Sequence, residues 1–412
     1  MMSRYSMLWM LTMGCAAEEV SSKDTVADTV VPPIEDSGEP PLPSSFEVTG
    51  TVTDGDGVPV EEAMVLVGGQ IDTMVYTDSD GVFSLWFDDN GLGEPAIVAA
   101  KIGHRADGYD YFGPDTPVSL TLVEVKAPDN LDYQYQDPGD GMDSMKEDCS
   151  HCHTTFVRDF LDSKHAEATR NPLLQDMYAG VTQAYDNASD CMDAGGLWGE
   201  GHAPGTEEGS AEKCYLGGGV LPDLNPSCGG PDQLACDSTS LPSSDAPDAF
   251  GACADCHAPG INGIAGGRDL HEAHGLAYEK GVHCDTCHKV RDIDLSQPPG
   301  VGQRLIMGRP SEPGSHVFQW DPVYFGPLVD VPNVAMGGSY QPKFDEAAFC
   351  AGCHEQNQDA LLPDEELDAE VWPDGLPVHS TFSEWEDGPY NQEATPCQFC
   401  HMPANVERNN SV

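Results

Sequence analysis

Five times in 412 residues the chain repeats Cys-x-x-Cys-His, and no other feature constrains it as much. The runs are Cys149, Cys152 and His153; Cys253, Cys256 and His257; Cys284, Cys287 and His288; Cys350, Cys353 and His354; and Cys397, Cys400 and His401. In such a run the two thiols add across the vinyl groups of a haem as thioethers, and the adjoining His ligates the iron. The spacing is demanding: two residues between the thiols match the reach between the vinyls, and the His must follow at once. Cys-x-x-Cys also opens zinc knuckles. Five runs that each end in His are hard to read that way, and a thiolate site needs reduced cysteines, which an exported chain does not favour. The expected cofactor is therefore five covalently attached haem c groups.

The other five of the fifteen cysteines divide cleanly. Cys191, Cys214, Cys228 and Cys236 fall in a Gly-, Pro- and Asp-rich stretch, residues 187–248, between the first two runs. An even count in an oxidising compartment points to two disulfides stapling a loop-rich insertion, with three connectivities open. Cys15 closes a short N-terminal signal, residues 1–15. Arg4 supplies its positive start, and Met7 to Met13 form an apolar run too short to span a bilayer. Gly14-Cys15 resembles the end of a bacterial lipobox, with the usual Leu displaced to Leu11, so Cys15 is the expected lipidation site. Residues 16–45 are acidic and Pro-rich with almost nothing to bury, a tether between membrane and fold. Ala16 is not the Asp that retains lipoproteins at the inner membrane, so the outer membrane is the expected location, on its periplasmic or cell-surface face.

Charge narrows the partners. Lys and Arg number 18 against 70 Asp and Glu, a formal net charge of -52. Such a surface repels nucleic acid and anionic lipid headgroups. It serves solubility, and it would also steer a redox partner with a basic docking patch.

Residues 46–125 carry the periodicity of strands. Phe46, Val48, Gly50 and Val52 alternate with polar residues, and Asp-Gly turns follow at Asp54-Gly55-Asp56-Gly57 and Asp78-Ser79-Asp80-Gly81. Apolar runs at 63–67, 82–87 and 96–100 complete about seven short strands, the pattern of a β-sandwich. The order Gly50-Thr51-Val52, Gly57-Val58-Pro59, Ala63-Met64-Val65, Thr77 to Phe83 and Lys101-Ile102-Gly103-His104 resembles the carboxypeptidase regulatory-like domain. That resemblance implies a spacer or adhesion module without catalysis. The acidic turns need no calcium, and His104 reads as a turn residue.

Residues 140–412 read as a pentahaem domain of short helices and irregular loops, so the fold class is multidomain: a β-sandwich, then a mainly α/irregular cytochrome region. Each electron-transfer iron needs a sixth ligand, His or Met. His165, His274 and His379 are the favoured candidates, followed by His271, His283 and His316, with Met307 and Met336 behind them. His151 lies inside a run and is poorly placed; His202, inside the insertion, reads as a surface residue. The segments Asp162 to Ala166, Gly281 to Val290, Glu384 to Tyr390 and Cys397 to Pro403 resemble the multihaem superfamily of hydroxylamine oxidoreductase, cytochrome c nitrite reductase and their tetrahaem electron-transfer relatives. The resemblance covers about Asp148 to Pro403 without the insertion. It implies closely stacked haems and, in the electron-transfer members, bis-histidine ligation. The chain departs from the enzymes of that group: no run ends in the Lys typical of the nitrite reductase catalytic haem, and no residue matches the tyrosine cross-link of hydroxylamine oxidoreductase.

Electron transfer at low potential is the expected function, with no catalytic residue assigned. The alternative is a reductase of a small nitrogen or sulfur oxyanion at one five-coordinate haem, with Arg268, Arg304 and Arg309 as available donors. A third reading makes the β-domain a carbohydrate- or surface-binding module. The oligomeric state is left open.

Overall fold

The structure, a computed structural model, describes residues 45–88, 95–110, 117–126, 128–140, 148–179, 181–182, 185–194, 197–200, 212–215, 253–261, 268–310, 323–332, 336–358, 360–362, 365–366, 368–373 and 375–403. The signal, Cys15, most of the tether, His202, Cys228, Cys236 and His316 lie outside the described residues.

The N-terminal region is β-rich. Its strands are β1 (Ser45–Asp54), β2 (Met64–Val67), β3 (Gln70–Tyr76), β4 (Val82–Asp88), β5 (Ala96–Ala100), β6 (His104–Arg105), β7 (Asp107–Asp110) and β8 (Val118–Glu124). Alternation decides which side of each strand is buried. Val48 and Val52 of β1, Phe83, Leu85 and Phe87 of β4, and Val118, Leu120 and Leu122 of β8 form one wall of the core. Val65 and Val67 of β2 with Ile97 and Ala99 of β5 form the facing wall. Gly50 is required within the first wall, because a Cβ there would collide with the Val118 carbonyl and the Phe83 ring of the flanking strands. The two acidic turns are tied internally. The Asp54 carboxylate accepts from Asp56 N at 2.9 Å and Val58 N at 2.8 Å, and Asp78 accepts from Asp80 N and Val82 N, both at 2.9 Å. Gly57 and Gly81 take the positive φ these turns need, 81° and 73°.

Further along come β9 (Val181–Thr182), β10 (Leu197–Glu200), β11 (Glu212–Tyr215), β12 (Val290–Ile293), β13 (Leu305–Met307), β14 (Tyr324–Gly326) and β15 (Gly338–Tyr340), among helices of one or two turns. β14 and β15 join the N-terminal sheet, giving the order β14-β15-β6-β8-β1-β4 beside the second sheet, β3-β2-β5-β7. The graft runs through Ser339, which pairs opposite Arg105, and through Ala106 N, which donates to the Gly338 carbonyl at 2.7 Å.

This junction explains a sequence pattern. The runs at β2 and β5 are continuously apolar because both faces are covered. Val65, Val67, Ile97 and Ala99 face the sandwich core, while Leu66, Val98 and Ala100 pack with Val329 and, at its margin, Tyr340. Asp330 accepts from Gly69 N at 2.8 Å, and Pro332 fills the space where Gly108 lacks a side chain. The β-domain is thus joined to the cysteine-rich region by sheet continuity and a shared apolar cluster.

In the insertion Cys191 is bonded to Cys214, one of the pairings that spacing leaves open. The bond links the helix Ala188–Asp193, capped by Asn187, to β11. Among the described residues no helix is long and apolar enough to cross a membrane.

The shared cluster makes a measurable prediction. Val329→Asp places an unpaired carboxylate among Leu66, Val98 and Ala100, at a cost of about 2–4 kcal/mol. Calorimetry should show one cooperative transition for the native chain and a split, lowered one for the variant. Unchanged melting would contradict the junction.

Candidate functional site

Each Cys-x-x-Cys-His run is folded as one helical turn. Helices span Cys253–His257 and Cys397–His401. In the other three runs the His amide bonds back to the first Cys carbonyl: His153 to Cys149 at 2.9 Å, His288 to Cys284 at 2.9 Å and His354 to Cys350 at 2.8 Å. One turn sets residues i, i+3 and i+4 on a common face. The two thiols and the imidazole of every run therefore share that face, which is the arrangement that thioether attachment with proximal ligation needs. None of the ten cysteines of the runs is paired in a disulfide. Burial pushes Cys149, Cys253, Cys287 and Cys350 up to about 12 and Cys284 up to about 11, so these thiols are neutral at physiological pH.

The runs pack on one another. Cys256 is in hydrogen-bond contact with Cys353, and that contact, followed by burial, raises it well above the ordinary thiol value. Cys350 has the same kind of contact with Cys397. Cys287 senses Cys350, Cys149 senses Cys284, and His288 senses His153. The fourth run thus borders the second, third and fifth, and the third borders the first. Gly300 N donating to the Gly352 carbonyl at 2.7 Å and Val301 N donating to the Asp255 carbonyl at 3.1 Å bind the second and fourth runs through one loop.

Two proximal candidates have their ring orientation fixed by the backbone. His288 Nδ1 donates to the Phe325 carbonyl at 2.7 Å, which leaves Nε2 with its lone pair for a metal. Phe325 belongs to β14, so the grafted sheet ends on this imidazole. His257 makes a similar ring contact with the Ala168 backbone. His354 is crowded by His379, His165, His257 and His401, and burial first and these neighbours second hold it down to about 4. It is a neutral imidazole, the form that ligates.

The sixth-ligand candidates separate by position. His165 and His379 stand beside His354, with ring centroids 6.1 and 5.2 Å from it. His283 is fully buried, edge-on to Tyr135 at 5.2 Å, and burial pushes it down to about 4. His274 is exposed, its Nδ1 2.6 Å from the Glu272 carbonyl. His271 lies on the short turn Leu270–Glu272, and its side chain is outside the described residues. Met307 is buried with Val290, Ile293 and Leu305. Among the described residues no three His, Cys, Asp or Glu groups gather to hold a bare metal ion. A haem iron asks the protein for axial donors only, and the runs and their imidazoles fit that demand.

Sequence reasoning passed over the carboxylates inside the runs. Asp255 is fully buried and pairs with Arg268, whose Nε donates at 2.8 Å; Arg268 also donates to the Pro259 and Val301 carbonyls. Asp285 is fully buried, 2.7 Å from Lys289 Nζ, and accepts from Tyr133 Oη at 3.0 Å and Gln136 N at 2.7 Å. Lys289 lies 3.3 Å over the Tyr324 ring. Burial pulls its pKa down while Asp285 opposes that pull. The available signal was the i, i+4 spacing of Asp285 and Lys289 in a chain poor in cations. The other named arginines are engaged as well: Arg309 with Asp129 at 2.5 Å, and Arg304 with the Gln297 and Ala351 carbonyls.

No protein-family model matches the chain. No curated protein matches it either. Among solved structures, one of a putative membrane-associated protein of unknown function from Bacteroides fragilis NCTC 9343 is 21% identical, with a TM-score of 0.16 over 36% of this chain and 49% of its own. The chain thus spans about half the length of that neighbour, and at that score the likeness carries no argument.

The buried pair under the third run gives a test. Lys289→Met strands the Asp285 carboxylate and should lower unfolding stability by roughly 3–5 kcal/mol, read as a shift of the urea midpoint. A loss under about 1 kcal/mol, the scale of an exposed pair, would contradict this account.

Proposed function

We propose that the chain is a low-potential electron-transfer protein carrying five covalent haems at the cell envelope. The observation that carries this reading is the folding of all five Cys-x-x-Cys-His runs into single turns that align two thiols with one imidazole. The bound haems would supply the iron centres between which electrons pass. The chain's own residues do the rest. Cys149 and Cys152, Cys253 and Cys256, Cys284 and Cys287, Cys350 and Cys353, and Cys397 and Cys400 attach the groups. His153, His257, His288, His354 and His401 hold the irons from the proximal side. The five opposite ligands would come from His165, His274 and His379, the favoured candidates, and from among His271, His283 and His316.

Contact among the runs supports short hops, since the fourth run touches the second and the fifth and lies near the third. Histidine ligation on both sides and an acidic chain both disfavour adding an electron, so the potentials are low. The fifth run carries an exposed aromatic, with Phe399 67% accessible, and it suits contact with a basic redox partner. Lipidation at Cys15 would hold the protein at the outer membrane. The β-domain, joined to the runs through β14 and β15, is a platform in this reading rather than a loose spacer.

Carbon monoxide and a redox titration test the proposal together. The reduced protein should show no Soret change with carbon monoxide, and its potentials should be predominantly negative. A change worth one haem in five would mark an open iron and favour reductase chemistry. Mostly positive potentials would defeat the low-potential reading.

A further inference from the structure

We infer that His165 is the axial partner of His354, so that a residue just past the first run completes the iron site of the fourth. This rests on the haem reading above. Two imidazoles on opposite sides of one metal have bonds of roughly 2 Å each, and each ring centroid lies about 1 Å beyond its nitrogen. Their centroids therefore stand roughly 6 Å apart. The rings of His165 and His354 are 6.1 Å apart, inclined at 63°. The competing ring, His379, is 5.2 Å from His354, too close by about 1 Å for that arrangement.

Backbone placement separates the two in the same way. His379 pairs in register with Gln356, two residues beyond His354, and Phe382 N donates to the His354 carbonyl at 3.1 Å. His379 therefore belongs to the same local unit as the fourth run. His165 arrives from a different part of the chain and is firmly held there. Its carbonyl accepts from Val282 N at 3.0 Å and from Ala168 N at 3.2 Å. Gly281, at φ 51°, passes so near that a Cβ would collide with that carbonyl. The fully buried Thr169 hydroxyl lies 2.7 Å from the His257 carbonyl and 2.6 Å from the Ala277 carbonyl. The backbone around His165 is thus clamped between the second run and the approach to the third, while its side chain stays accessible. The backbone that carries this ring is therefore set in place. The pairing leaves His379, which also lies near His257, for a neighbouring iron.

The test uses the full chain matured with haem. Cys350→Ala leaves the fourth haem on one thioether, which shifts its visible band and marks it without removing it. In that marked chain His165→Met should raise the potential of the marked band alone, because methionine raises the potential of the iron it ligates. His165→Ala should turn the same haem, and no other, from low to high spin by electron paramagnetic resonance. Movement of an unmarked band, or five haems all unchanged in potential and spin, would overturn the pairing while leaving the haem reading intact. A matured chain without haem would sink both.

Discussion

Two thiols and one imidazole must face the same way for a haem to be held by two bonds and one ligand, and a single helical turn meets that demand at minimal length. Five such turns occur here, and the rest of the cysteine-rich region is arranged around them. The carboxylates inside two turns are buried and matched with Arg268 and Lys289. Burial of both partners costs desolvation, so these pairs secure the orientation of the turns more than they add to stability. The loops between the turns, from Pro298 to Leu305 above all, carry backbone hydrogen bonds from one run to the next.

The β-domain takes part in the same construction. Its sheet continues through β6 into β15 and β14, and β14 presents the Phe325 carbonyl to His288. One line of hydrogen bonds therefore leads from the sandwich to the His288 imidazole. Displacement of that strand would turn the ring, so the domain that reads as an appendage in sequence bears on the geometry of the third run.

Local features are legible in the chain before its fold. Asp54 and Asp78 mark turns because an Asx carboxylate satisfies amides two and four residues on, and Val48, Phe83 and Leu120 mark one sheet face by alternation. The Cys-x-x-Cys-His turns are local in the same sense. Non-local pairings are not legible. β14 and β15 are three residues each, too short for a periodicity, and β6, to which β15 pairs, stands far back in the N-terminal domain. Continuous apolar runs at β2 and β5 are consistent with a second covered face, though they do not say what covers it. Spacing leaves three connectivities open for the insertion cysteines, and it is the fold that brings Cys191 to Cys214. His165 and His379 stand out as ligand candidates, yet the approach of His165 to His354 depends on packing between distant parts of the chain.

The central claim is that these five turns carry haem. Its most direct measurement is the denatured intact mass of the chain after passage through a host that matures c-type cytochromes, with thiol alkylation alongside. The account predicts a mass gain of five haems and no alkylation at the ten cysteines of the runs. A chain of bare polypeptide mass whose ten thiols all alkylate would contradict it.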